Sequence, residues 1–196
     1  MTISELKREG KASLTGNWGV AIGVYVVAVL INSVLSYTGV GALFTGLVTF
    51  GLCSAFLGLI RTKKMQFESL FDFTKNFGNV FLAGLLQTIF IWLWSLLFVI
   101  PGIVKTYSYA MTQYILIDRP ELSGNDAITE SRKMMDGHKM DLFLLDLSFI
   151  GWYILSIFTF GILLLYVAPY HEAARAQFYA DLTGPVVTEA AEEAVA

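Results

Sequence analysis

"PYHEAARAQFYADL", residues 169–182, places His171, Glu172, Arg175 and Asp181 directly after a strongly apolar run. Whether this stretch is the last of six membrane segments or a polar helix outside the bilayer decides the fold. Read as a helix, it sets His171 and Arg175 at i,i+4 and Glu172 and Arg175 at i,i+3, so the three share a face. In hydrocarbon such groups turn toward the protein interior or a water-filled cavity, because an ionised side chain facing lipid is costly.

The rest of the chain says which setting applies. Of 196 residues, 56% are hydrophobic and 15% charged, against about 25% charged in an ordinary soluble domain. Residues 12–60 contain no Asp, Glu, Lys or Arg, enough for two segments of about 20 residues and a turn. This pattern marks an integral membrane protein. The first apolar stretch far exceeds the apolar core of about 7–15 residues in a signal peptide, so it is expected to stay as an anchor. Cys53 is the only cysteine, which excludes an intrachain disulfide and a multi-cysteine metal site.

Six spans are expected, over residues 18–37, 42–60, 77–100, 102–117, 142–158 and 162–182. The turns between paired spans are "TGVG" at 38–41, Pro101-Gly102, and "TFG" at 159–161. The last is required because residues 142–170 are uncharged apart from Asp146. One helix of that length would measure about 43 Å, more than the roughly 30 Å hydrocarbon core. The fourth span is short and carries Lys105, whose ammonium can snorkel to an interface.

With the N-terminus inside, Lys7, Arg8 and Lys11, then Arg61, Lys63, Lys64 and Lys75, then Arg119, Arg132, Lys133 and Lys139 fall on the cytoplasmic side. These are eleven of the 13 basic residues, with Lys105 expected near the outer face and Arg175 inside the sixth span. The three turns carry none, a strong positive-inside pattern. It orients the first four or five spans. The acidic tail, residues 184–196, holds no basic residue to orient the sixth and is expected to be disordered.

A repeat bears on that sixth span. "LTGNWGVAI" from Leu14, "FTKNFGNVF" from Phe73 and "MDGHKMDLF" from Met135 align Asn17, Asn76 and His138 at spacings of 59 and 62 residues, a period that signals repetition. Each copy follows a short amphipathic segment. "TISE" at Thr2 and "SGND" at Ser123 fit capping boxes, Gly137 fits a helix end, and basic amphipathic helices lie in a membrane interface. If each copy supplies two spans, the opening stretch lies within the bilayer. The expected fold is an all-α polytopic transmembrane bundle over residues 1–183, three helical hairpins each preceded by a short amphipathic cytoplasmic helix, with both termini cytoplasmic.

In that arrangement Asp146 and Arg175 sit at similar depth, and Glu172 near the depth of Gln87. Asp146, His171, Glu172, Arg175 and Gln87 form the candidate intramembrane polar cluster, either a static network or a path for substrate or protons. Pro169 frees a carbonyl beside it. Gly19 and Gly23 form a GxxxG pair that permits close helix contact. Catalytic signals are weak. The two histidines, His138 and His171, show no HExxH and no metal-ligand spacing. No cofactor is expected, and the basic residues, scattered among membrane-flanking loops, give no nucleic-acid surface.

The combination of "IPGI" (100–103), "SRKMMDG" (131–137), "LSFIGW" (147–152) and "PYHEAARAQFY" (169–179) resembles the domain of unknown function 975 family of bacterial integral membrane proteins, over nearly the whole chain. The resemblance implies a polytopic protein of a bacterial cell membrane, with cytoplasmic termini. It brings no activity and no catalytic residues. Two functions stay open: a non-enzymatic accessory or envelope module that binds lipid, a peptide or another membrane protein, and a small-molecule transporter or substrate-binding subunit that uses the buried charges. A membrane hydrolase or transferase would need a paired nucleophile and base, which the sequence does not offer.

Overall fold

The computed structural model describes residues 2–36, 41–97 and 99–184, and these are all-helical, without strands. The elements are α1 (Ile3–Leu14), α2 (Trp18–Ser36), α3 (Gly41–Thr62), a 3-10 helix (Phe67–Asn76), α4 (Phe77–Leu97), α5 (Val99–Ser108), α6 (Thr112–Asp118), α7 (Gly124–Met134), α8 (Lys139–Phe158) and α9 (Leu164–Thr183). Four helical stretches are long and apolar enough to cross a membrane: α2, α3, α4 with the 3-10 helix before it, and α8. The expected turn at 38–41 and the acidic tail lie largely outside the described residues.

Local chemistry accounts for several boundaries. Thr2 and Glu5 form the expected capping box, with Glu5 N donating to Thr2 Oγ1 at 3.3 Å and Thr2 N donating to Glu5 Oε2 at 2.7 Å. That satisfies two backbone donors that a helix start leaves open, and the same pairing pulls the exposed Glu5 carboxyl below its usual pKa. Ser123 caps α7 through the amide of Asp126. Gly137, φ +86°, follows the end of α7, and Gly161, φ +82°, lies in the break between α8 and α9. Both occupy the left-handed region that glycine enters without a steric penalty.

Three expectations change. Pro101 and Gly102 do not form a turn; they lie in the first turns of α5, where a proline gives up no intrahelical bond. Gly102 there fits against Ser95, whose Oγ would lie 2.3 Å from an added Cβ. The single segment expected over 102–117 is two helices, α5 and α6, separated at residues 109–111. Gly19 and Gly23 are not a helix contact: among the described residues nothing comes within 4 Å of a Cβ at either. A close crossing joins α3 and α4 instead, at Gly46 and Gly84, where an added Cβ on Gly46 would sit 2.6 Å from the Gly84 Cα.

The 3-10 helix lies where a short amphipathic segment is expected ahead of the second hairpin. It packs back along α3, where Gly51 leaves room for the Leu70 carbonyl and Ser54 donates to Asp72 at 2.8 Å. Asn17 ties the start of α2 to the end of α3 by donating to the Lys63 carbonyl at 3.0 Å and accepting from Met65 N at 3.3 Å. Asn76, its counterpart in the expected repeat, donates to the Pro120 carbonyl. His138, the third counterpart, instead faces Asp141 of its own helix at 3.2 Å.

α9 carries the charged stretch of residues 169–182 and is not among the four apolar candidates. It folds back antiparallel to α8, with Asp146 opposite Arg175 and Tyr153 opposite His171. α1 covers it from the other side, where Gly10 packs against the Ala173-Ala174 backbone and Gln177 donates to Glu9 at 3.1 Å. Val167 to Pro169, Ala173, Ala174 and Ala176 to Tyr179 are buried. Large apolar side chains face outward instead on α2, α4 and α8, and at the α8–α9 connection, where Phe160 is 98% exposed.

Candidate functional site

Asp146, on the second turn of α8, is the centre of the site. Arg175 donates to both its oxygens, from Nε to Oδ1 at 3.1 Å and from a terminal nitrogen to Oδ2 at 2.8 Å. Such a two-point guanidinium–carboxylate contact is among the stronger polar interactions. Tyr107 of α5 donates its hydroxyl to Oδ2 at 3.1 Å, and His171 Nε2 lies 2.8 Å from Oδ1. The four side chains join α5, α8 and α9 in one network. Its members are partly shielded, with side-chain exposures of 18% at Asp146, 14% at His171 and 31% at Arg175.

The imidazole is held on every side. Its Nδ1 lies 2.8 Å from the Tyr153 hydroxyl, and its ring stacks on Phe149 at 4.6 Å between centroids. With Nε2 donating to the carboxylate, Nδ1 accepts from Tyr153 when the ring is neutral. Lys7 of α1 closes the outside, its ammonium 4.3 Å from the Phe149 ring centre and 3.3 Å from the Ser148 carbonyl. Burial there lowers the lysine pKa from its usual value.

A second node lies one turn further along α9. Tyr179 donates to Asp118 Oδ2 at 2.7 Å, and Arg61 grips the same carboxylate at 2.6 and 2.7 Å. This node joins α3, α6 and α9. Arg175 and Tyr179, at i,i+4, thus present one edge of α9 to two carboxylates.

The expected cluster is therefore only partly assembled. Asp146, His171 and Arg175 come together. Glu172 does not join them; it lies within electrostatic reach of Tyr25, Cys53, Tyr114 and Arg175. Its carboxylate makes no direct hydrogen bond or ion pair among the described residues. Gln87 belongs elsewhere, donating to the Tyr109 carbonyl at 3.1 Å. It lines a recess of about 150 Å³ with Thr49, Thr88 and Gln113 at the Gly46–Gly84 crossing, where the buried Gln113 Oε1 has no hydrogen-bond partner among the described residues. Lys105, expected near the face opposite the basic loops, lies beside Arg132 and Lys139.

Sequence reasoning missed Tyr107, Tyr153 and the Asp118 node. Tyr153 carried a usable signal, since seven residues from Asp146 returns to the same helix face. Tyr107 is 39 residues from Asp146 and Arg61 is 57 from Asp118, so no local spacing announces either contact. No group of three or more His, Cys, Asp or Glu side chains among the described residues is arranged to hold a metal ion.

Comparison with known proteins yields one family and no individual relative. No curated protein and no solved structure matches the chain. The family model described as "Protein of unknown function (DUF975)" matches over residues 1–109 and 96–185. With the two matches together reaching from the first residue to the end of α9, the chain belongs to this DUF975 family.

Proposed function

We propose that the chain is a non-enzymatic multi-pass module of a bacterial cell membrane that acts by binding lipid or another membrane protein, and that its Asp146 cluster is a lock within the bundle. The observation that carries this reading is the saturation of Asp146. A group that carries protons or substrate must exchange partners, whereas both oxygens here are engaged by a guanidinium that stays charged, with His171 and Tyr107 completing the shell.

The topology that accompanies this reading has α2, α3, α4 and α8 as spans, with α2, α4 and α8 facing lipid and α3 largely enclosed by its neighbours. α5 with α6, and α9, are inner segments, because broken helices and charged groups persist at membrane depth only where protein shelters them. α9 packs on α8 as a further inner segment, and two contacts count against its crossing from face to face. Trp18 at the start of α2 stacks on Tyr166 near the start of α9 at 4.5 Å, while Tyr179 near its end reaches Asp118 and Arg61 at the end of α3. Both ends of α9 thus approach the same end of the α2–α3 pair. The basic residues there put that end, α1 and both termini in the cytoplasm. The partial equivalence of Asn17 and Asn76 favours an internal repeat in the first two units.

One observation favours the transport reading instead: Glu172, unlike Asp146, is a carboxylate without a direct partner among the described residues. Flux assays on proteoliposomes containing a pH-sensitive dye separate the two. The lock predicts no proton or solute flux in the wild type, and loss of folded protein in Asp146→Ala. A wild-type flux that Glu172→Gln abolishes, in protein that still folds, would establish transport and retire the lock reading.

A further inference from the structure

Outside the α9 network, four cations gather where α5, the end of α7 and the start of α8 converge. Lys105, Arg132, Lys133 and Lys139 line one pocket of about 370 Å³. A single carboxylate, Asp136, shares the lining and lies 3.8 Å from Lys139. Lys133 is paired with Glu130 at 2.8 Å, just outside the pocket. Lys105 and Arg132 enter no ion pair among the described residues. The hydroxyls of Ser108 and Thr129 donate within their own helices, so recognition at this pocket would rest on the cations.

Four positive charges around one small volume repel one another, and Lys139 opens α8, the helix end whose dipole disfavours a cation. The fold nevertheless holds Lys105 in place, its ammonium 4.7 Å from the Trp94 ring centre. Arg132 and Lys139 lie within electrostatic reach of it. An anion with several acceptor oxygens would relieve that repulsion and take charge-assisted hydrogen bonds from more than one helix. The flanks narrow the choice of anion. Ile103 and Val104 beside Lys105 are 49% and 45% exposed, and Met140 beside Lys139 is 62% exposed. A cationic pocket edged by outward-facing aliphatic and indole side chains fits a phosphate head whose tails lie along the apolar surface.

We infer that the Lys105–Arg132–Lys139 pocket binds a phosphate group, supplied by an anionic phospholipid headgroup or by free phosphate. The inference rests on the membrane reading above and gives it a ligand class and a place.

The test uses the full chain purified in mild detergent. Thermal unfolding is followed with added phosphatidylglycerol, phosphatidylcholine or inorganic phosphate, for the wild type, Lys105→Gln/Arg132→Gln, the charge-conserving Lys105→Arg, and Lys64→Gln as a control outside the pocket. Phosphatidylglycerol is expected to stabilise the wild type, Lys105→Arg and Lys64→Gln more than phosphatidylcholine does. The double variant should bind about tenfold more weakly for each cation removed. Stabilisation by the lipid alone assigns the headgroup as the source, and stabilisation by inorganic phosphate, also lost in the double variant, assigns a soluble one. Equal stabilisation by both lipids with no effect of phosphate, or an undiminished response in the double variant, overturns the site. Should the double variant not fold, the same comparison is made with Lys105→Gln alone, whose surviving lipid preference at wild-type strength overturns the site equally. Failure of the wild type to stay in alkali-washed membranes would instead overturn the membrane reading on which the site rests.

Discussion

Replacing Arg175 by Gln removes both guanidinium bonds from Asp146 and leaves the carboxylate with His171 and Tyr107. Hydrogen bonds between helices in membrane proteins are worth about 0.6 kcal/mol on average and up to about 1.7. The two bonds here are charge-assisted, at 2.8 and 3.1 Å, and Arg175 is 31% exposed. The expected loss is therefore about 2 kcal/mol, below the 3–5 kcal/mol that follows from orphaning a fully buried charge. Asp146→Asn should cost about as much, because it strands Arg175. The double variant should lose less than the sum, giving a coupling of about 1–2 kcal/mol. Unfolding by dodecyl sulfate titration from mild detergent, read by tryptophan fluorescence, measures all four corners of this cycle. A coupling within the roughly 0.5 kcal/mol scatter of independent sites would refute the claim that this pair holds α8 to α9.

Gly46→Ala should destabilise by about 1–3 kcal/mol, since its Cβ would meet the Gly84 backbone, whereas Gly58→Ala, with nothing within 4 Å, should be neutral or slightly stabilising in the same titration. Glu172→Gln should leave stability unchanged or raise it, because it neutralises a carboxylate without a direct partner among the described residues; a loss comparable to that of Arg175→Gln would show that Glu172 belongs to the lock. Tyr153→Phe should cost about 1 kcal/mol through the lost bond to His171, measured by the same unfolding assay. Cys53, 5% exposed, should resist a thiol reagent in the folded protein and react once dodecyl sulfate unfolds it.

The sequence made the helical class plain, because long runs free of charge leave the backbone in lipid few options other than a helix. It also placed the capping box at Thr2, the break near Gly161 and the pairing of Asp146 with Arg175, the last from depth alone. Pro101-Gly102 misled because the same dipeptide suits both a turn and a helix start. GxxxG at Gly19 and Gly23 misled because a small-residue spacing says where helices can approach, whereas a close contact formed at Gly46 and Gly84, on different helices. The Asp118 node and the Lys105 pocket depend on how α3, α5, α6, α7 and α9 meet, which no spacing along the chain records.

The sidedness of Thr183→Cys in a Cys53→Ala background, labelled with a membrane-impermeant thiol reagent, tests the central claim most directly. Thr183 ends α9 one turn beyond Tyr179, which the Asp118–Arg61 node holds at the basic end of α3. The account predicts protection in intact cells and labelling after lysis, with the charged face of α9 enclosed in the bundle. Labelling in intact cells would contradict it, and would put "HEAARAQFYADL" on the outer side of the membrane.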